Sequence, residues 1–167
     1  MVSGSSSDPC SENFAGPNAF SEIEAVNLAN FIVSHRDTIK AYLTLHSYGK
    51  SILYPWGYTF EQRIPDAIDL RALGNEMASV VHADYFMNEK GYTLSPASGG
   101  SDDYSKSVGV KYVYHINLRP GSIALAEDNS TKEWHGFLLT PRCIKPSAEE
   151  IFPAFLVAAN KVRNGPF

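Results

Sequence analysis

The chain has 167 residues, a net charge of −4 and a hydrophobic fraction of 44%, which is the profile of one globular domain. Its basic residues form no run longer than isolated pairs, which argues against nucleic acid as a partner because phosphate backbones are bound by clustered Lys and Arg. No stretch approaches about 20 apolar residues, so the sequence predicts no membrane span.

The first predicted element is a helix over residues 21–35, after coil at residues 1–20. Ser21 and Glu24 have the spacing of a capping box, in which each side chain accepts a hydrogen bond from the backbone N–H near the other. The apolar face that this helix would bury consists of Ile23, Val26, Phe31 and Ile32.

A strand is predicted over Ile39–His46, because apolar and polar residues alternate there. The segment that follows, through Pro55 and Gly57, is rich in turn-forming residues. A second helix is predicted from Asp66, a plausible N-cap, to about His82.

The next elements are short. Residues 92–94 are a weak strand candidate, and Ser101 could cap a short helix that carries Asp102 and Asp103 in its first turn. Lys111–Leu118 is the clearest strand, and its two faces differ. One face carries Tyr112, Tyr114, Ile116 and Leu118, and the other carries Val113, His115 and Asn117.

A polar loop over residues 120–135 precedes the last predicted helix, which runs from Ser147 to about Arg163 and should be kinked by Pro153. Strands that alternate with helices predict an α/β layered domain. Ligands in such domains gather at the carboxyl ends of strands. We therefore look for function first at His46 and Asn117.

His46 could bind a metal or shuttle protons, or it could be a hydrogen-bonded histidine at a strand end. A catalytic zinc needs three protein ligands, yet HExxH and HxxE are both absent and the other histidines lack acidic partners at ligand spacing. A serine hydrolase centred on Ser98 is disfavoured, because the first glycine of the Gly-x-Ser-x-Gly elbow is missing. The two cysteines, Cys10 and Cys143, could be buried thiols or one long-range disulfide.

The pair Asp102-Asp103 has two readings: a helix N-terminus, or a cation-binding pair. A carboxylate that follows two glycines at the floor of a pocket would select a Lys or Arg side chain by charge. The sequence alone leaves both readings open.

Several short segments together resemble one family, the zinc metallocarboxypeptidases of the carboxypeptidase A/B type. They are SSSDPCSE (5–12), FAGP (14–17), LHSY (45–48), LYPWGY (53–58), ASGGSDD (97–103), GVKY (109–112), LR (118–119) and GFLL (136–139). Their order and approximate spacing cover nearly the whole chain, so the joint pattern is specific although each piece is weak.

This resemblance implies a mixed-sheet α/β fold with helices packed on the sheet, truncated here to the C-terminal portion of a peptidase domain over residues 1–167. It implies zinc as the family's cofactor, with His46 as a metal ligand, and peptide or protein C-termini as partners. Ser47 and Tyr48 would line the substrate groove. Asp102 falls where the B-type enzymes carry the acid that selects C-terminal Lys or Arg.

The chain departs from the family pattern at the catalytic positions. Asn117 stands where the family has its general-base glutamate, and Ser95 stands where it has the substrate-capping tyrosine. The family's other two zinc ligands lie in an HxxE motif that this sequence lacks, and the cysteine that pairs with the Cys10 position lies upstream. We therefore expect impaired catalysis and a Cys10 that is unpaired or mispaired.

Three hypotheses follow: an incomplete form of a carboxypeptidase-like protein, a non-catalytic binder of basic C-termini, or a degenerate fragment. The family resemblance implies an extracellular protein, although residues 1–8 have none of the features of a signal peptide. Without the strands that flank it in the family, the strand carrying His46 should form an exposed sheet edge, which a partner or a missing segment could cover.

Overall fold

The structure, a computed structural model, describes residues 4–59, 61–62, 64–81, 85–89, 96–120 and 137–165. Within these ranges the chain forms four helices and four strands, with a 3-10 turn at Pro141–Cys143. Their bounds are α1 Ile23–His35, β1 Ala41–Ser47, β2 Ser51–Tyr54, α2 Ala67–Ser79, β3 Phe86–Glu89, α3 Ser101–Ser107, β4 Tyr112–Leu118 and α4 Ile144–Asn164.

The strands form one mixed sheet in the order β1-β4-β2-β3. β1 and β4 are parallel, β2 and β3 are parallel, and β2 runs antiparallel to β4. The predicted α/β class with a mixed sheet is confirmed. β1 lies at one edge of the sheet, and within the described ranges it pairs only with β4.

The main core lies between the sheet and the helices α2 and α4. Tyr114 is fully buried there, and its hydroxyl donates a hydrogen bond of 2.7 Å to the carbonyl of Leu70 in α2. Burial raises the pKa of Tyr114 far above its usual value, so the phenol stays neutral. A smaller cluster of Ile32, Val110 and Val113 fills the other face of the sheet, on the side of α1 and α3.

β2 contradicts the expectation of a turn-rich segment after His46. Residues 51–54 form a strand whose four residues are all buried. A strand covered on both faces shows no alternation of apolar and polar residues, and four residues give no period to read. β3 has the same length and was also missed.

The start and the apolar face of α1 also differ from prediction. Ser21 caps no N–H of the helix; its hydroxyl donates to Glu22 Oε1 at 2.9 Å, and the helix begins at Ile23. The helix buries Ala29 and Ile32, whereas Ile23 and Phe31 are more than half exposed. The helical period was read correctly, but of the predicted face only Ile32 is buried, where it packs with Val110 and Val113.

The last helix begins at Ile144 and not at Ser147, which is buried within it. The 3-10 turn at Pro141–Cys143 leads directly into α4, and Pro146 is tolerated in the first turn because the N–H groups there have no helical partner. Pro153 lies inside the continuous helix. The predicted helix was therefore placed correctly but began too late.

α2 is attached to β4 by charge and not by the predicted Asp66 cap, which makes no side-chain capping bond. Asp66 instead accepts hydrogen bonds from Lys106 at 2.9 Å and from Lys111 at 3.0 Å. Burial tends to raise the pKa of Asp66, but the two ammonium groups outweigh it and hold that pKa below its usual value. The carboxylate is therefore charged at neutral pH.

Other predictions meet the structure in part. Cys10 is exposed and Cys143 is buried, and both are free thiols. The predicted strand at residues 92–94 and nearly all of the predicted loop at 120–135 lie outside the described residues. In the part of the chain that the structure describes, no helix is long and apolar enough to cross a membrane.

Candidate functional site

Three neighbouring strands place polar side chains at the same end of the sheet. His46 and Asn117 are direct partners in the parallel register of β1 and β4, and each stands one residue before the end of its strand. Ser51 begins β2 and is the antiparallel partner of Asn117. The sequence-based expectation that His46 and Asn117 lie at strand ends therefore places them side by side.

A continuous set of contacts connects these strands, and we call it the polar ladder: Thr44, His46, His115, Asn117 and Ser51. The Asn117 amide donates to Ser51 Oγ at 3.0 Å, and its Oδ1 lies 3.1 Å from His115 Nε2. The ring of His115 stacks on that of His46 with centroids 4.1 Å apart and planes 9° from parallel. His46 Nε2 lies 2.9 Å from the Thr44 hydroxyl.

The ladder is buried at its centre and open at its edge. Asn117 is 6% exposed and His115 is 8% exposed, whereas His46 is on the exposed side of the edge strand. The nitrogen and the oxygen of the Asn117 amide therefore both have hydrogen-bonding partners within the protein.

The chain turns sharply after His46. The peptide bonds Ser47-Tyr48 and Arg119-Pro120 are cis, and Gly49 has φ +128°, a conformation that favours glycine. The Gly49 N–H donates to the carbonyl of Pro120 at 2.9 Å. This hydrogen bond connects the turn after β1 to the turn after β4. The ring of Tyr48 rests edge-on against Phe137, with centroids 5.3 Å apart.

An apolar cavity of about 420 Å³ lies beside this turn, under the edge strand. Its wall includes Ser47 and Leu45 from β1, and most of the rest is apolar: Leu118, Phe137, Leu139, Ile144, Ile151, Phe152 and Phe155. Leu45 is 48% exposed. The edge of the sheet therefore presents apolar surface beside the side of β1 that pairs with no other strand among the described residues.

Asp102 and Asp103 have different surroundings. Asp103 accepts hydrogen bonds from the backbone N–H groups of Gly57 at 2.9 Å and Tyr58 at 3.0 Å, so it anchors the turn after β2. It also lines a cavity of about 530 Å³ together with Trp56, Tyr58 and Tyr104. Asp102 is 1% exposed on the first turn of α3.

The donor atoms of the described residues do not form a catalytic zinc site. Among the described residues, no group of three or more His, Cys, Asp or Glu side chains could hold a metal ion. His46 has another imidazole beside it, but the two rings are stacked and do not converge. Ser95, His82 and His135 lie outside the described residues.

Sequence reasoning missed three members of the ladder: Thr44, Ser51 and His115. His115 and Asn117 were placed on the same face of β4 by alternation, but their neighbours across the sheet depend on a strand register that one sequence does not reveal. Ser51 was assigned to a turn.

A mixed sheet with two parallel pairs and helices on both faces defines an α/β domain, here with a histidine near the end of its edge strand. Comparison with known proteins identifies the family: the model of the zinc carboxypeptidase family matches residues 1–154. The chain belongs to the zinc carboxypeptidase family, as its resemblance implied.

Similar proteins include carboxypeptidase B of Astacus astacus, which is 39% identical over 96% of this chain, and human carboxypeptidase B, which is 36% identical over 95% of this chain. The chain spans 51% of the Astacus protein and 36% of the human one. It thus covers about half or less of the relatives that it matches.

Solved structures share the fold. Bovine thrombin-activatable fibrinolysis inhibitor, in complex with a tick carboxypeptidase inhibitor, matches with a TM-score of 0.84 and 30% identity over 97% of this chain and 53% of its own. Carboxypeptidase A from Helicoverpa armigera matches with a TM-score of 0.79 and 30% identity over 93% of this chain and 38% of its own. The fold described above is therefore the corresponding part of a carboxypeptidase fold.

Proposed function

We propose that residues 1–167 are the C-terminal portion of a zinc-carboxypeptidase domain that binds peptide C-termini, prefers Lys or Arg at the last position, and does not hydrolyse the peptide bond by itself. The observation that carries the proposal is the state of Asn117. This residue stands at the family's general-base position, and its amide is bound to Ser51 and next to His115.

Catalysis at this position needs a group that accepts a proton from the attacking water. A carboxylate does this at neutral pH, and a general base of this kind contributes about 10²–10⁴ in rate. An amide has no such basicity. The replacement of the base supports a chain without turnover, and so does the lack of convergent metal ligands in the part of the chain that the structure describes.

The preference for basic C-termini rests on Asp102. Its carboxylate follows the Gly99-Gly100 turn, as in the B-type pattern, and it is buried at the start of α3. A buried carboxylate attracts a cationic side chain more strongly than an exposed one, because water screens it less. Ser47 and Tyr48 would contact the peptide on the other side of His46.

An extracellular location and a cover for the sheet edge belong to the same proposal. The edge of β1 and the apolar cavity beside Leu45 offer a place where a missing segment of the domain, or a partner that supplies a strand, would pack. Covering this edge would also remove a template for unwanted pairing.

The alternatives are a chain that keeps the family's hydrolytic activity and a degenerate fragment without function. The family match over residues 1–154 favours the first, and the changes at Asn117 and Ser95 disfavour it. The described sheet and core argue against a fragment that does not fold.

The test is peptide binding, measured by fluorescence anisotropy with two peptides that differ only in a C-terminal Arg or Leu. We expect the chain to bind the Arg peptide at least about tenfold more tightly, a difference of about 1.4 kcal/mol that one charge pair can supply. Asp102→Asn should abolish this difference, because it removes the charge and keeps the shape.

Asp103→Asn is the matched control, since it makes the same chemical change one residue later. It should keep the preference for Arg and lower the melting temperature, because Asp103 holds the N–H groups of Gly57 and Tyr58. Equal binding of both peptides by the unsubstituted chain would rule out the basic preference, and binding of neither would support the fragment.

A further inference from the structure

The short helix α3 carries a cation close to the carboxylate that the proposed function assigns to the recognition of Lys or Arg. Asp102 lies in the first turn of α3, and Lys106 lies in its last turn, four residues later. Residues at this spacing lie on the same face of a helix, with Cβ atoms about 5–6 Å apart. The burial of the two side chains agrees, because Asp102 is 1% exposed and the Lys106 side chain is 9% exposed.

The ammonium group of Lys106 is bound by other groups. It donates hydrogen bonds to Asp66 Oδ2 at 2.9 Å and to the carbonyl oxygen of Lys111 at 2.8 Å. Asp66 is charged at neutral pH, because its two ammonium partners lower its pKa by more than burial raises it. The charge of Lys106 is therefore neutralised by a residue at the start of α2.

The two lysines that contact Asp66 differ in what else they contact. Lys111 Nζ lies 3.0 Å from Asp66 Oδ2 and 2.9 Å from Asp69 Oδ2. Within the part of the chain that the structure describes, Asp66 is the one carboxylate that pairs with Lys106. Loss of the charge on Asp66 would therefore leave Lys111 paired and Lys106 without an opposite charge.

An ammonium group released in this way would weaken the recognition of a cationic ligand. It could turn toward the carboxylate of Asp102, one helical turn away, and neutralise it. If it stayed in place, its uncompensated charge would repel the cation of the ligand, and in a partly buried position water would screen this repulsion only weakly. Both effects have the same sign.

We infer that Asp66 is a positioning residue that determines specificity: by holding the Lys106 ammonium, it keeps that cation away from Asp102, whose charge then attracts the cation of the ligand. This role deepens the proposed function and rests on it, because it adds a residue to the recognition of C-terminal Lys or Arg. Asp66 acts through Lys106 and does not contact the peptide.

Binding of the same two peptides, ending in Arg or Leu, tests this role in the full chain at neutral pH and low salt, where charges are screened least. Asp66→Asn should reduce the preference for Arg from at least about tenfold to about threefold or less, because the released ammonium offsets the charge of Asp102. Asp69→Asn is the matched control. Asp69 also lies in the first turn of α2, but it pairs with Lys111 and Lys161, so the preference should persist.

A second substitution separates this role from a merely structural one. Asp66→Asn combined with Lys106→Met removes the released ammonium, so the preference for Arg should return to at least about fivefold. A loss of packing would be deepened by the second substitution and not reversed. If Asp66→Asn does not fold, Lys106→Met alone decides: it should keep the full preference, whereas it would lose it if Lys106 were needed to support α3.

The outcomes for this role and for the proposed function are distinguishable. A preference that stays at about tenfold in Asp66→Asn, or that the added Lys106→Met does not restore, would overturn the role of Asp66 and leave the proposed function standing. Equal binding of both peptides by the unsubstituted chain would refute the proposed function and this role with it. A fall in melting temperature without a change in preference would show that the Asp66 ion pair is only structural.

Discussion

Asn117→Glu is expected to raise peptide hydrolysis by about 10²–10⁴-fold in a chain completed with the part of the Astacus astacus carboxypeptidase B that this chain does not match. The carboxylate would stand at the end of β4, beside His46 in the register, and could accept a proton from water. The His115 ring, 3.1 Å from the present amide oxygen, could donate to the new carboxylate in the same way. The measurement is the rate of arginine release from a C-terminal-arginine peptide.

Completion should also let His46 bind zinc together with the ligands that the added part supplies. Zinc held by several ligands is worth about 10 kcal/mol or more, far above the roughly 1 kcal/mol of one ring stack. Asn117→Gln is the matched control, because it has the length of glutamate without the charge, and it should stay at the rate of the unsubstituted completed chain. If the completed chain with Asn117 is already as fast as the Asn117→Glu variant, another residue acts as the general base.

Glu150→Ala is expected to lower the free energy of unfolding by about 1.5–3 kcal/mol, because it removes charge-assisted hydrogen bonds to the partly buried guanidinium of Arg119. The Glu150 carboxylate accepts hydrogen bonds from Nε and Nη2 of Arg119, the second at 3.0 Å. Lys50 Nζ lies 3.6 Å from Glu150 Oε1. The Glu150 side chain is 3% exposed. The hydrogen bonds to Glu150 raise the pKa of Arg119 further, so the guanidinium keeps its charge.

This contact attaches α4 to the turn after β4, where the site lies. Glu149→Ala is the matched control: Glu149 is the preceding residue of α4, with a side chain 65% exposed and a surface pair with Lys145. Exposed pairs of this kind contribute about 0–1 kcal/mol. Urea unfolding of both variants measures the difference, and equal losses would show that the buried pair carries no special weight.

The elements that the sequence predicted well are those whose patterns are local. β4 was found because Tyr112, Tyr114 and Ile116 alternate with smaller residues, and both faces proved to be buried. α2 was found because Asp66 is a plausible N-cap, although its side chain makes no capping bond. The short central strand β2 was missed because four buried residues without alternation resemble any apolar run.

The candidate site was predicted in its parts but not in its connections. His46 and Asn117 were placed at strand ends, and the structure pairs them directly. The stack of His46 on His115 joins residues 69 positions apart in sequence, and it depends on the register of β1 against β4. The roles of Ser47, Tyr48 and Asp102 in substrate binding stay predictions, as does that of Ser95, which lies outside the described residues.

The most direct test of the account is an assay of the purified 167-residue chain with zinc and a peptide that ends in arginine. We expect no arginine release above that of buffer with zinc, because a single stacked imidazole and an amide neither bind the metal tightly nor take a proton from water. Release of arginine that a chelator stops, and that His46→Ala also stops, would contradict the account.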